Sequence, residues 1–167
     1  MLYRVISYVL IIVAGFLGFA SLFALLIALA NPALLLYVFI VAAVVLYSFT
    51  SFQFLQTGIR QGHSFRPGYK DFIKVNGYVS LVFVVQVVLS FIIIQTNPKL
   101  LQEQVNQVAA MQGPANQLPA DLRFKMMHAM NWALFVYALV LGYHIFSTFR
   151  LLRKHAQLFA RQTDLPS

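Results

Sequence analysis

Apolar residues fill three long stretches of this chain, and charge is confined to the gaps between them. No Asp, Glu, Lys or Arg occurs between Arg4 and Arg60, between Lys74 and Lys99, or between Lys125 and Arg150. A helix needs about 20 residues to cross roughly 30 Å of hydrocarbon. The first stretch is long enough for two crossings, and Asn31-Pro32 interrupts it. Proline lacks an N–H and disfavours helix in the residue before it, so a tight turn is expected there. The pattern predicts transmembrane helices over about 5–30, 33–55, 72–96 and 127–150, the last continuing at both ends. The fold class is an all-α integral membrane protein, a single domain over residues 1–167 built as an antiparallel four-helix bundle.

The connections differ in character. The loop over about 56–71 is basic and contains Gly and Pro. The segment over about 98–112 places Leu101, Val105 and Val108 at helical spacing between Gln102, Glu103, Gln104 and Gln107. That is a short amphipathic helix, ended by Gly113-Pro114. Beyond helix 4, Leu151, Leu152, His155 and Phe159 carry an apolar stripe onward. Arg4 before an apolar run, with Ala28-Leu29-Ala30 after it, has the outline of a signal peptide. The run of roughly 25 residues is too long for a signal core of about 7–15, so a retained span is expected.

Charge sets the orientation. An even number of spans puts both termini on one side, with Arg4, Arg60, Arg66, Lys70, Lys74, Arg150, Arg153, Lys154 and Arg161. The other side holds Lys99, Arg123 and Lys125. By the positive-inside rule the richer side is cytoplasmic. A multi-pass protein of the cell (inner) membrane is expected, both termini inside. Tyr3, Tyr8, Tyr47, Phe52, Tyr69, Phe72, Tyr143 and Phe149 fall near the inner interface and Trp132 near the outer one. Arg60, Arg66, Lys70, Lys74, Arg150, Arg153 and Lys154 are the expected contacts for anionic lipid of the inner leaflet.

Two halves of the chain share landmarks in the same order. Arg4-Val5-Ile6-Ser7-Tyr8-Val9 resembles Lys74-Val75-Asn76-Gly77-Tyr78-Val79, and Asn31-Pro32-Ala33-Leu34-Leu35 resembles Asn97-Pro98-Lys99-Leu100-Leu101. Tyr47-Ser48-Phe49-Thr50-Ser51 partly matches Tyr143-His144-Ile145-Phe146-Ser147. Both hairpins then run the same way, a parallel repeat about an axis along the membrane normal. The competing reading is chance, because apolar helices reuse few residue types.

Composition narrows the chemistry. The 167 residues are 60% apolar and 10% charged, against about 25% charged in ordinary soluble domains. A net charge of +8 raises the question of nucleic acid, but the basic residues flank apolar runs, so no nucleic-acid partner is expected. There is no cysteine, which excludes thiol catalysis and thiolate-held metals. No span holds a carboxylate, which argues against proton- or sodium-coupled transport. Asp71, Glu103, Asp121 and Asp164 are too few and too dispersed for a metal cluster. No cofactor, metal or catalytic residue is expected. His144 has no second histidine at matching depth for haem, since His128 lies about 24 Å along the same helix. Gly62-His63-Ser64 with Arg66-Pro67 has pieces of a lipid-phosphatase motif without its lysine and second histidine, and reads as a basic loop.

The polar residues inside the spans remain. His144, on a helix face with Tyr137, Leu141 and Thr148, sits about 9 Å inside the inner boundary. Tyr8, Tyr47, Ser48, Ser51, Asn76 and Ser80 fall at similar depth, and together they form a candidate inner polar pocket. Interhelical hydrogen bonding is the favoured role, at about 0.6–2 kcal/mol per bond. A lipid-facing imidazole would leave its nitrogens unsatisfied, so His144 is expected to face inward and bond helix 2 or helix 3. Gln86, near mid-membrane, has Tyr137 as its nearest candidate partner. Ala14 with Gly18, and Ala138 with Gly142, are small-xxx-small pairs that let helices approach, within the chain or between copies. The leading expectation is a non-enzymatic subunit, scaffold or regulator of a membrane complex, with a membrane-protein partner or a second copy of itself. A small pore or carrier for an uncharged solute, and a redox or enzyme subunit built on His144, are the alternatives.

Overall fold

A computed structural model of the chain describes residues 2–111 and 118–159. These residues form helices α1 (Leu2–Ala30), α2 (Leu35–Gln53), α3 (Pro67–Thr96), α4 (Pro98–Met111) and α5 (Ala120–Lys154). Short 3₁₀ turns cover Pro32–Leu34 and Ala156–Phe159, and a π-helical segment, Phe54–Arg60, continues α2. Four helical stretches, Leu2–Leu29, Leu35–Arg60, Gly68–Thr96 and Ala120–Lys154, are long and apolar enough to span a membrane. The expected stop at Gly113-Pro114, the last residue of the 98–112 segment, and Arg161 and Asp164 lie outside the described residues.

Helix boundaries follow from their end residues. The break after α1 is where Asn31-Pro32 demands it, and the Asn31 carbonyl accepts the Leu34 N–H at 3.0 Å. The second junction repeats this, with the Asn97 carbonyl accepting the Leu100 N–H at 3.1 Å. A 3₁₀ turn therefore precedes α2, which starts at Leu35 rather than near 33. Helix α3 begins at Pro67, earlier than 72, because proline fits the first helical position, where no N–H is needed. The inner loop thus shrinks from the expected 56–71 to residues 61–66, the π segment taking its first part.

The chain forms two compact units: Met1–Phe83 with Val140–Ser167, and Val84–Leu139. In the first, Tyr3, Ser7, Leu10 and Ala14 recur at helical spacing on α1; Ser7, Leu10 and Ala14 are buried, and Tyr3 is partly so. Val44 and Tyr47 of α2, Ile73 of α3, and Leu141, Ile145 and Leu152 of α5 are buried in the same unit. Ala14, Ala138 and Gly142 are buried within the chain, while Gly18 is half-buried near Val45. Gly77 of α3 is a position where only glycine fits without displacement. A Cβ there would lie 2.9 Å from Cε1 and Cζ of Phe149.

At one end of this unit the Phe65 N–H donates to the Leu158 carbonyl at 2.7 Å. Phe65 stacks on Tyr69 and Phe159, and Phe54 stacks on Phe159. The apolar stripe at the end of α5 and beyond is packed against this loop, with Leu152 and Phe159 buried. The second unit packs Phe91 of α3 face to face with Phe135 of α5 at a 4.0 Å centroid distance, and edge-on to Trp132. In α4, Leu101 and Val105 are buried, but the third stripe position, Val108, stays 38% exposed.

Large apolar side chains cover the exterior of all four long helices. Phe16 is 75% exposed, Leu36 69%, Val85 55% and Met130 63%. Water would not tolerate so much contiguous apolar surface on a monomer of this size.

Candidate functional site

The inner polar cluster lies within the first unit and is built around His144, whose side chain is wholly buried. Nδ1 lies 2.9 Å from the Tyr47 hydroxyl of α2, and Nε2 lies 2.8 Å from the Ser7 hydroxyl of α1. The Tyr3 ring stacks on the imidazole at 4.6 Å, nearly parallel. Tyr47 meets the same ring edge-on at 5.8 Å. One turn on, the Thr148 hydroxyl donates to the His144 carbonyl at 2.8 Å and lies 2.8 Å from the Tyr47 hydroxyl and 3.1 Å from the Tyr3 hydroxyl. Ser7 also donates to the Tyr3 carbonyl at 2.8 Å.

The hydrogens can be counted. Ser7 spends its hydroxyl hydrogen on the Tyr3 carbonyl, so the ring must donate from Nε2–H to Ser7 Oγ. Thr148 spends its hydrogen on the His144 carbonyl, so Tyr3 and Tyr47 donate to its two lone pairs. Tyr47 has a single hydrogen for Thr148 Oγ1 and for Nδ1. With one ring proton, held at Nε2, that hydrogen serves one of the two at a time, so five of the six contacts carry a hydrogen at once. Each side-chain polar atom of the cluster lies within hydrogen-bond distance of at least one other. The cluster is a closed knot joining α1, α2 and α5, and both ring nitrogens are engaged.

The other expected members of the pocket behave differently. Ser48, Ser51, Asn76 and Ser80 are buried, yet each donates to the backbone of its own helix, to Val44, Ser48, Phe72 and Asn76 respectively. Among the described residues, the ring of His144 bonds Ser7 and Tyr47 instead. Such back-bonding is the usual resource of a small polar side chain in a helix. Tyr8 is 40% exposed and accepts from Gln56 instead, so it does not line the cluster. Residues 7 and 8 differ by about 100° around the helix axis, and it is Ser7 that faces inward. Tyr47, grouped by sequence with the interfacial aromatics, is fully buried.

Gln86 is exposed on α3. Of the basic residues, Arg60, Arg66, Arg150, Arg153 and Lys154 are exposed, and Lys70 and Lys74 are partly buried. Arg60 donates to Gln56 at 2.6 Å, and Lys74 lies 3.8 Å from Asp71.

Depth along the spans does not by itself single out Ser7 and Tyr3. The Tyr3-Ser7-Leu10-Ala14 spacing is the signal that places both on the buried face of α1. No family model, curated protein or solved structure matches the chain.

Proposed function

We propose that the chain is a four-span integral protein of the cell membrane, with both termini cytoplasmic, that serves a membrane complex as a non-enzymatic subunit, scaffold or regulator. The apolar exterior of four long helices supports the membrane assignment, and the excess of Lys and Arg beside their inner ends supports the orientation. The two hairpins are read as antiparallel pairs related by duplication, supported by the matching turns at Asn31-Pro32 and Asn97-Pro98. The basic inner residues are read as contacts for anionic lipid.

The observation that carries the functional reading is that the His144 cluster is closed on itself. The span residues best suited to handle a solute or hold a metal are spent on one another. They act as a clasp that fixes α1, α2 and α5. The surfaces left to act are the amphipathic outer segment and the basic inner face. The test is isolation of the full chain from native membranes in mild detergent, followed by native mass spectrometry and flux assays in proteoliposomes. An assembly of fixed stoichiometry, without flux of a small neutral solute such as glycerol, is expected. A homogeneous chain that conducts such a solute would overturn the proposal.

A further inference from the structure

A cavity of about 100 Å³ in the second unit is lined by Val105, Val108, Leu118, Met126, Met127 and Arg123. Five of these side chains are apolar. The sixth is a guanidinium whose Nε and Nη1 are buried and have no hydrogen-bond partner. Arginine cannot shed its charge, so two buried donors left open are costly. Asp121, the one carboxylate on α5, is exposed and pairs with Lys125 at 2.8 Å. Nε–H and the Nη1 hydrogens point to different edges of the guanidinium, so each is a charged donor open to an oxygen of its own, and an oxyanion supplies such oxygens.

The geometry points to this cavity as a seat for one anionic phospholipid, its phosphate on Arg123 and the start of an acyl chain against Val108, Leu118 and Met126. Depth selects the occupant, given the membrane reading above, on which this inference rests. Arg123 stands three residues before the uncharged stretch that opens at Met126, roughly 4.5 Å beyond it along the helix. Headgroups occupy a layer of about 5–7 Å on each side of the hydrocarbon. A phosphate at that level is therefore opposite the guanidinium, and its acyl chains run alongside exposed Met126 and Met130. A cavity of this size holds a few methylenes rather than a whole chain. Met126 and Met127 are unbranched and yield readily, opening the way to Nε and Nη1.

The test is titration of the full, delipidated chain in mild detergent with dioctanoyl phosphatidylglycerol, followed by native mass spectrometry. Dioctanoylglycerol supplies the tail alone and inorganic phosphate the anion alone. The wild-type chain is expected to hold the phospholipid and neither fragment at the same concentration. Arg123→Gln is expected to weaken binding about 10- to 100-fold. Val108→Phe, which fills the cavity at a partly exposed position and keeps the charge, is expected to weaken it as well. It also serves as the test if Arg123→Gln fails to fold. Binding that ignores both substitutions, or is matched by either fragment, overturns the inference. A chain absent from the membrane fraction would refute the membrane reading instead, so the two failures are distinct.

Discussion

Replacing His144 with Phe removes two hydrogen bonds and keeps a ring for Tyr3 to stack on. Ser7 retains its bond to the Tyr3 carbonyl and Tyr47 its bond to Thr148. Neither hydroxyl is fully orphaned, and Tyr47's one hydrogen is shared between His144 and Thr148, so the cost is one to two ordinary intramembrane bonds and no desolvation penalty for a bare group. Such bonds average about 0.6 kcal/mol and reach about 1.7, so His144→Phe should lose roughly 1–3 kcal/mol of stability. Tyr47→Phe removes contacts to both His144 and Thr148 and should lose a similar amount. The two changes share one bond, which a double-mutant cycle isolates as a coupling of about 0.5–1.5 kcal/mol. Reversible unfolding in mixed detergent micelles would measure all three variants. Zero coupling, or a His144→Phe chain as stable as the wild type, would refute the clasp.

Two other substitutions probe the same unit. Gly77→Ala puts a Cβ 2.9 Å from the Phe149 ring and should destabilise by about 1–3 kcal/mol in the same unfolding assay. Adding Phe149→Ala should recover part of that loss by making room. Gly58→Ala would bring a Cβ within 2.7 Å of Phe65 Cε2 and disturb the stack that ties the 61–66 loop to Leu158. Limited proteolysis should then cut that loop faster than in the wild type, and an unchanged rate would mean that the stack does not hold it.

The long helices were legible because charge exclusion is a strong and additive signal, and proline marked the breaks at 31–32 and 97–98. The ends of the helices were less so. The π segment after Gln53 contains Gly58, which faces Phe54, Phe65 and Leu158, a tertiary setting with no local signature. Within the cluster, Tyr47 was among the partners expected for His144 on grounds of depth. Depth alone does not distinguish a residue from its neighbour, and Tyr8 was chosen where Ser7 sits inside. Ser48, Ser51, Asn76 and Ser80 look like partners in a sequence, but short polar side chains in helices reach their own backbone first. The orphaned Arg123 had no sequence signal apart from being one of three basic residues on the poorer side.

The topology is open to a direct measurement, made simple by a chain with no cysteine of its own. Single cysteines introduced by His63→Cys in the inner loop and Glu103→Cys on the exposed face of α4 would be treated with a membrane-impermeant maleimide in intact cells. Labelling of Glu103→Cys from outside, with His63→Cys reacting only after the membrane is broken, is the predicted result. Labelling of both from the same side, or the reverse pattern, would contradict the four-span arrangement with its basic loop and termini in the cytoplasm.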